Sequence, residues 1–318
     1  MSQAIYQTNK DIPQEMILGN LLFTNLCDMK MSENELLNIF KSNNIPLNYV
    51  RKISGADAYR RATASVKNDS IIITEASGDK RKAKLEVDEV RCDNDSIKRI
   101  IGIKRVDQTN EDIAYDSIIE VVFLRDTNSI GAIIAVPTSD TNYRTYQDIA
   151  DTITDRYNDW SVYHNKDTIK NVINRIIYDT HPINLMPTGL CKFTPASSST
   201  LLYNLKNALQ EMSAYRLNHN SHGNIMEIIP VIDTDEQRNL VQENCSAEIT
   251  EECLELVMDL KDIIANKKTL TTRAATGYVE KFRLLKEKTQ DYENLLNVYM
   301  EAIHAQIANA LQLVKDNS

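Results

Sequence analysis

Two adjacent arginines, Arg60 and Arg61, lie in the run SGADAYRRATASV at residues 54–66. A guanidinium presents a rigid fork of donors that fits phosphate or carboxylate. The pair therefore raises the question of anion binding. Ser54 followed by Asp57 is a helix-start signal, and adjacent helical residues point about 100° apart. Only one of the two can share the face of Tyr59. The expected division is that Arg61 is structural, bonding backbone or acid within its domain, and that Arg60 is the more exposed. Salt bridges on a solvated face would explain both equally well.

More cations follow. Lys82, Lys84, Lys98, Arg99, Lys104 and Arg105 fall in two alternating runs, RKAKLEVDEVR and IKRIIGIKRV. If Lys84 and Lys104 share a face, a local basic strip forms. Such a strip would touch nucleic-acid backbone rather than bases, with strong salt dependence. Lysine on edge strands also blocks unwanted strand pairing, and Glu86, Asp88 and Glu89 are interleaved.

Other chemistries have less support. His219 and His222 could offer two imidazoles, but no cysteine or carboxylate pattern accompanies them. Asp233 and Asp235 could ligate Mg²⁺, yet helix capping and a favourable first-turn charge account for them. No GxxxxGK[ST], GxGxxG, GxSxG or HExxH occurs. The sequence names no catalytic residue, no metal ligand and no cofactor. A metal-dependent nuclease is the last-ranked alternative.

The elements that must position these residues are legible from periodicity. LEVDEVR and its neighbours alternate apolar and polar residues, the period of a strand. Five such runs between residues 70 and 137 are separated by turns too short for a parallel crossover. They predict an antiparallel meander. The fourth and fifth runs are nearly all apolar, which predicts central or doubly covered strands. Before the meander, 14–26 is apolar without a clear type. Ser32 and Glu35 form a capping box for a helix through Phe40. After it, 142–160, 167–179 and 201–217 read as helices. A Pro- and Ser-rich stretch near 180–200 carries a short strand at 189–194, and 224–232 is a last strand.

The C-terminal segment predicts two long helices, 234–268 and 269–316. In the second, Tyr278, Phe282, Leu285, Tyr292, Leu296, Tyr299 and Ile303 fall on positions that step by three and four, with Thr289 at the one between Leu285 and Tyr292, a seam for a partner helix or a second chain. A helix of that length would reach on the order of 60–70 Å. The fold class is thus α+β. Residues 1–228 form a domain with helices in 14–66, the meander at 70–137 and helices in 142–217. Residues 229–318 form a helical hairpin or coiled coil.

Composition bounds the function classes. The 318 residues carry a net charge of −9, with acid in excess in both halves, so bulk charge does not indicate nucleic-acid binding. The five cysteines contain no CxxC, which fits a reduced cytoplasmic setting. No apolar run approaches the ~20 residues of a membrane span, so no membrane partner is expected.

The stretch ILGNLLFTNLCDMKMSENELLNIFKSNNIPLNYVRKISGADAYRRAT resembles the start of an uncharacterised prokaryotic and phage family, a domain of unknown function. That family carries an S/D-A-aromatic-R-R-A-T element, filled here by Asp57, Ala58, Tyr59, Arg60, Arg61, Ala62 and Thr63. GLCKFTP (189–195) and IPVIDTDEQRNLV (229–241) also resemble it, although Cys191 and Lys192 replace apolar or aromatic residues. The resemblance implies a mobile-element setting and no activity. The expected function is a non-enzymatic binding protein that contacts nucleic-acid backbone. The alternative is an oligomeric scaffold, or an inhibitor that grips a host protein through its long helices.

Overall fold

The computed structural model describes residues 13–75, 77–106, 112–186, 191–266 and 270–317. In chain order, β1 (Ile17–Asn25), β2 (Lys30–Ser32), α1 (Glu33–Ser42) and α2 (Gly55–Ala64) come first. They are followed by β3 (Ser70–Thr74), β4 (Lys80–Cys92), β5 (Ser96–Val106), β6 (Asp112–Leu124) and β7 (Ser129–Ile134). Then come α3 (Tyr143–Trp160), β8 (Tyr163–Asn165), α4 (Lys166–Tyr178), β9 (Ile183–Asn184), β10 (Lys192–Pro195) and α5 (Ser199–Met212). The chain ends with β11 (Ile225–Ile232), α6 (Asp235–Ala265), α7 (Thr272–Leu296) and α8 (Glu301–Asp316). It forms two compact units: a meander unit of Lys30–Asn38 and Val50–Thr168, and a second unit from the described residues of Met1–Met29, Ile39–Tyr49 and Ile169–Ser318.

In the meander unit, five antiparallel strands run in sequential order β3-β4-β5-β6-β7. Alternation decides which face is buried. Ala83 and Leu85 of β4, Ile97, Ile101 and Ile103 of β5, and Ile119, Val121 and Phe123 of β6 pack against α2 and α3. The Ser54 hydroxyl accepts from the Asp57 amide at 3.3 Å and starts α2. That helix presents Ala58, Tyr59 and Ala62 to the sheet. Tyr59 stacks on Phe123 with centroids 5.6 Å apart and donates its hydroxyl to the Val121 carbonyl at 2.8 Å. Burial drives the Tyr59 hydroxyl far above the ordinary tyrosine range. β7 departs from expectation. It is an edge strand, and Ile133 is 63% exposed. An apolar run is read as interior because burial is its usual cause, but β7 is short, ends the sheet beside β6 and packs against α3. β2 pairs with β8, and the capping box of α1 forms as expected, with the Ser32 amide donating to Glu35 at 2.7 Å.

The second unit is built on a four-stranded antiparallel sheet in the order β11-β1-β10-β9. The ambiguous apolar stretch at the start is its strand β1, which pairs with β11 some 200 residues later in sequence. Gly19 lies where a side chain would run into the Phe193 ring and the Thr194 carbonyl. α6, α7 and α8 pack on one another, and their core continues into the sheet through Leu18, Phe193 and Val231.

The second C-terminal helix is not continuous. It breaks at Asn297, which adopts a left-handed conformation (φ 55°) and closes α7. Asparagine tolerates that conformation better than most residues. Glu293 stabilises the break: its Oε1 accepts from the Met300 amide at 2.6 Å and lies 3.0 Å from His304 Nε2. Three helices therefore replace the expected pair. α7, with 25 residues, is about 37 Å long.

Candidate functional site

The register of β4 against β5 decides how the cations are used. Lys82 and Lys84 alternate with the buried Ala83 and Leu85, so both point away from the core. Lys84 is the direct partner of Lys104, and across the other edge Lys82 faces Ile72 and Lys84 faces Ser70. Lys80 shares this outward face, and Lys80, Arg81, Lys82 and Lys84 are all exposed. Among the described residues none of these four side chains has a hydrogen bond or an ion pair. Glu86, the next residue outward on β4, is 3.8 Å from Lys67. Arg105 stands opposite Ala83, and its side chain lies outside the described residues.

At the other end of the same strands the cations are consumed. Arg99 opposes Glu89 in register and bonds it at 3.0 Å. Its Nη1 also donates to the Arg60 carbonyl and to Thr63 Oγ1, both at 2.9 Å. Arg60 donates to Glu89 at 3.3 Å and to Cys92 Sγ at 3.3 Å. Partial burial pushes the Glu89 carboxyl up, but the bonds from Arg99 and Arg60 outweigh it and hold the group below the usual carboxylate range. Lys98 is neutralised by Glu120 at 2.6 Å.

Arg61 departs from expectation. Among the described residues it bonds neither backbone nor acid; its guanidinium lies over the Trp160 ring, 4.9 Å from the centroid. Burial against that ring lowers its pKa, against the pull of Asp167 and Asp57. An aromatic face satisfies a guanidinium without a carboxylate, which residue spacing along one helix cannot reveal. Nearby in the same unit, His164 of β8 is 4% exposed and its Nε2 has no hydrogen-bond partner. Desolvation holds that imidazole below the ordinary histidine range.

The remaining candidates separate. His219 and His222 are exposed. Asp233 is gripped through both oxygens by Arg238, at 2.5 and 2.7 Å. Among the described residues no group of three or more His, Cys, Asp or Glu is placed to hold a metal ion. Cys245 and Cys253 are buried in the helical core, and burial pushes the Cys245 thiol up to about 12. Of the seam, Phe282, Leu285, Tyr292, Leu296 and Ile303 are buried within this chain. Tyr278 is half-buried, whereas Tyr299 is 73% exposed and stacks on His304. Beside them Lys288 is buried between Glu248 (2.6 Å) and Glu252 (3.1 Å).

Two sets of residues were not anticipated. Lys80 extends the basic strip, although in sequence it reads as the end of a turn; Arg81 is exposed beside it but alternates onto the face of Ala83 and Leu85. Leu240, Leu254 and Met258 project from the outer face of α6 and are 42%, 53% and 65% exposed. Their heptad-like spacing was available, masked by the stronger inner stripe of Val241, Cys245, Ile249 and Cys253.

Among the described residues no helix is long and apolar enough to cross a membrane. No curated protein and no solved structure matches the chain. A family model, described as a family of unknown function (DUF6744), matches residues 17–316. The match takes in the α2 arginines, the whole meander and all but the last residues of the helical segment, so the chain belongs to this family of unknown function.

Proposed function

We propose that the protein is a non-enzymatic binding protein that contacts nucleic-acid backbone through the outer face of β4 and β5, in the setting of a phage or other mobile element. The observation that carries this reading is the placement of Lys80, Lys82 and Lys84 on one exposed strand face, with Lys104 directly opposite Lys84. A row of flexible ammonium groups suits phosphates as point charges and offers no fork for bases. Arg60, Lys98 and Arg99 contribute less, because Glu89 and Glu120 already hold them.

The test is a salt titration of binding to duplex DNA. Three lysine–phosphate contacts give a log–log slope of about −3, and Lys82→Ala with Lys84→Ala removes about 2 of it. An unchanged slope in that double variant would refute the assignment. A second reading, an oligomeric scaffold or an inhibitor of a host protein acting through its helices, is favoured by the apolar outer face of α6. A metal-dependent nuclease ranks last. It would require Asp233 to leave Arg238, and metal-dependent cleavage abolished by Asp235→Asn is its test.

A further inference from the structure

We propose that the outer face of α6 is a docking surface for an amphipathic helix whose apolar stripe is flanked by lysine or arginine. This deepens the helix-mediated reading above and rests on it. Leu240, Ala247, Leu254 and Met258 return to one side of α6 at steps of seven, seven and four residues, and all four are exposed. Ala247, Ser246 and Thr250 are small and leave a shallow groove that Leu254 and Met258 border. A helix normally buries one apolar stripe. α6 already buries Val241, Cys245, Ile249, Cys253 and Leu260 on its inner side, so among the described residues this second stripe has no covering element.

Charge selects the occupant. Glu251 and Glu255 line the groove and are exposed, and no ion pair engages them among the described residues. Lys261 is the cation nearest that face in helical position. A second copy docked by the same surface would set these acids against their own counterparts, an arrangement that costs affinity. A helix with basic flanks would instead pair with them while its apolar residues cover Leu254 and Met258, the helix-in-groove mode. Met258 adds a flexible, polarisable contact suited to such a groove.

The experiment uses the full chain and two synthetic amphipathic peptides with the same leucine stripe, one flanked by lysine and the other by glutamate. Fluorescence anisotropy should show the lysine peptide binding at least about tenfold tighter than the glutamate peptide. Leu254→Asn with Met258→Asn should weaken the lysine peptide by about tenfold. Both side chains are exposed, so the melting curve of this variant should stay unchanged. Equal binding of both peptides, or lysine-peptide binding indifferent to the double variant, would overturn the proposal. The mass in solution separates the remaining failures. If neither peptide binds and the mass is twice 36.2 kDa but falls to one copy in Leu254→Glu, the partner is a second copy and helix-mediated assembly survives. If neither peptide binds and the chain is monomeric, both readings fall.

Discussion

Strands β4 and β5 carry basic side chains at both ends, and the two ends behave differently. Near Arg99 an acid sits directly across the ladder, the α2 backbone lies within reach, and the cations are spent on holding α2 to the sheet. Near Lys84 the residue across the ladder is another lysine, and on the other side stands a serine. The same residue types therefore act as internal fasteners at one end, while at the other Lys80, Lys82 and Lys84 of β4 leave an exposed positive strip. Identity does not assign the role; the partner across the register does.

The largest expected effect tests the fastening end. Arg99→Ala loses bonds to Glu89, Thr63 and the Arg60 carbonyl and should lower stability by about 2–3 kcal/mol in urea unfolding. A loss as small as that of a surface lysine would break the contrast. Tyr59→Phe removes the hydroxyl bond to Val121 and keeps the ring stack, so about 1 kcal/mol should be lost. Arg60→Ala sits between the two ends in character. It is about one-third exposed, and it should cost less than about 1 kcal/mol by thermal melting.

Acid titration sharpens the same contrast. The folded state holds Glu89 below its ordinary range, whereas in the unfolded chain it titrates near about 4.3. Its stabilising contribution is therefore complete above that unfolded value and is lost as pH falls through the lower folded one. Glu89→Gln should flatten the pH dependence of the melting temperature below about pH 4. Lys84→Ala, the smallest effect, should stay within about 0.5 kcal/mol of wild type at neutral pH. A larger loss would mean that Lys84 is a fastener after all.

Much of the local structure was legible. Ser54, and Ser32 with Glu35, start helices as their side chains foretell, because a cap acts on amides two or three residues away; between Asp233 and Thr234 the structure chooses Thr234. The meander followed from alternation and short turns. The possibility that Lys84 and Lys104 share a face could be raised from sequence. Their direct opposition could not, because register depends on bulges such as the one between Glu89 and Arg91. The seam of Tyr292 and Leu296 was visible as an apolar stripe, but periodicity reports burial without naming what buries it. Here the covering helices belong to the same chain.

What the sequence determined by itself were the segments: where helices start, which strands alternate, which helix stripes are apolar. These depend on side chains within a turn or a strand of one another, where capping and periodicity operate. The tertiary structure decided how the segments meet. It set β1 beside β11, placed β7 at an edge, folded α8 back at Asn297 and put Arg61 over Trp160. Each of these is chosen by the burial of whole faces among residues distant in sequence, and that free energy belongs to the packed arrangement rather than to any single stretch.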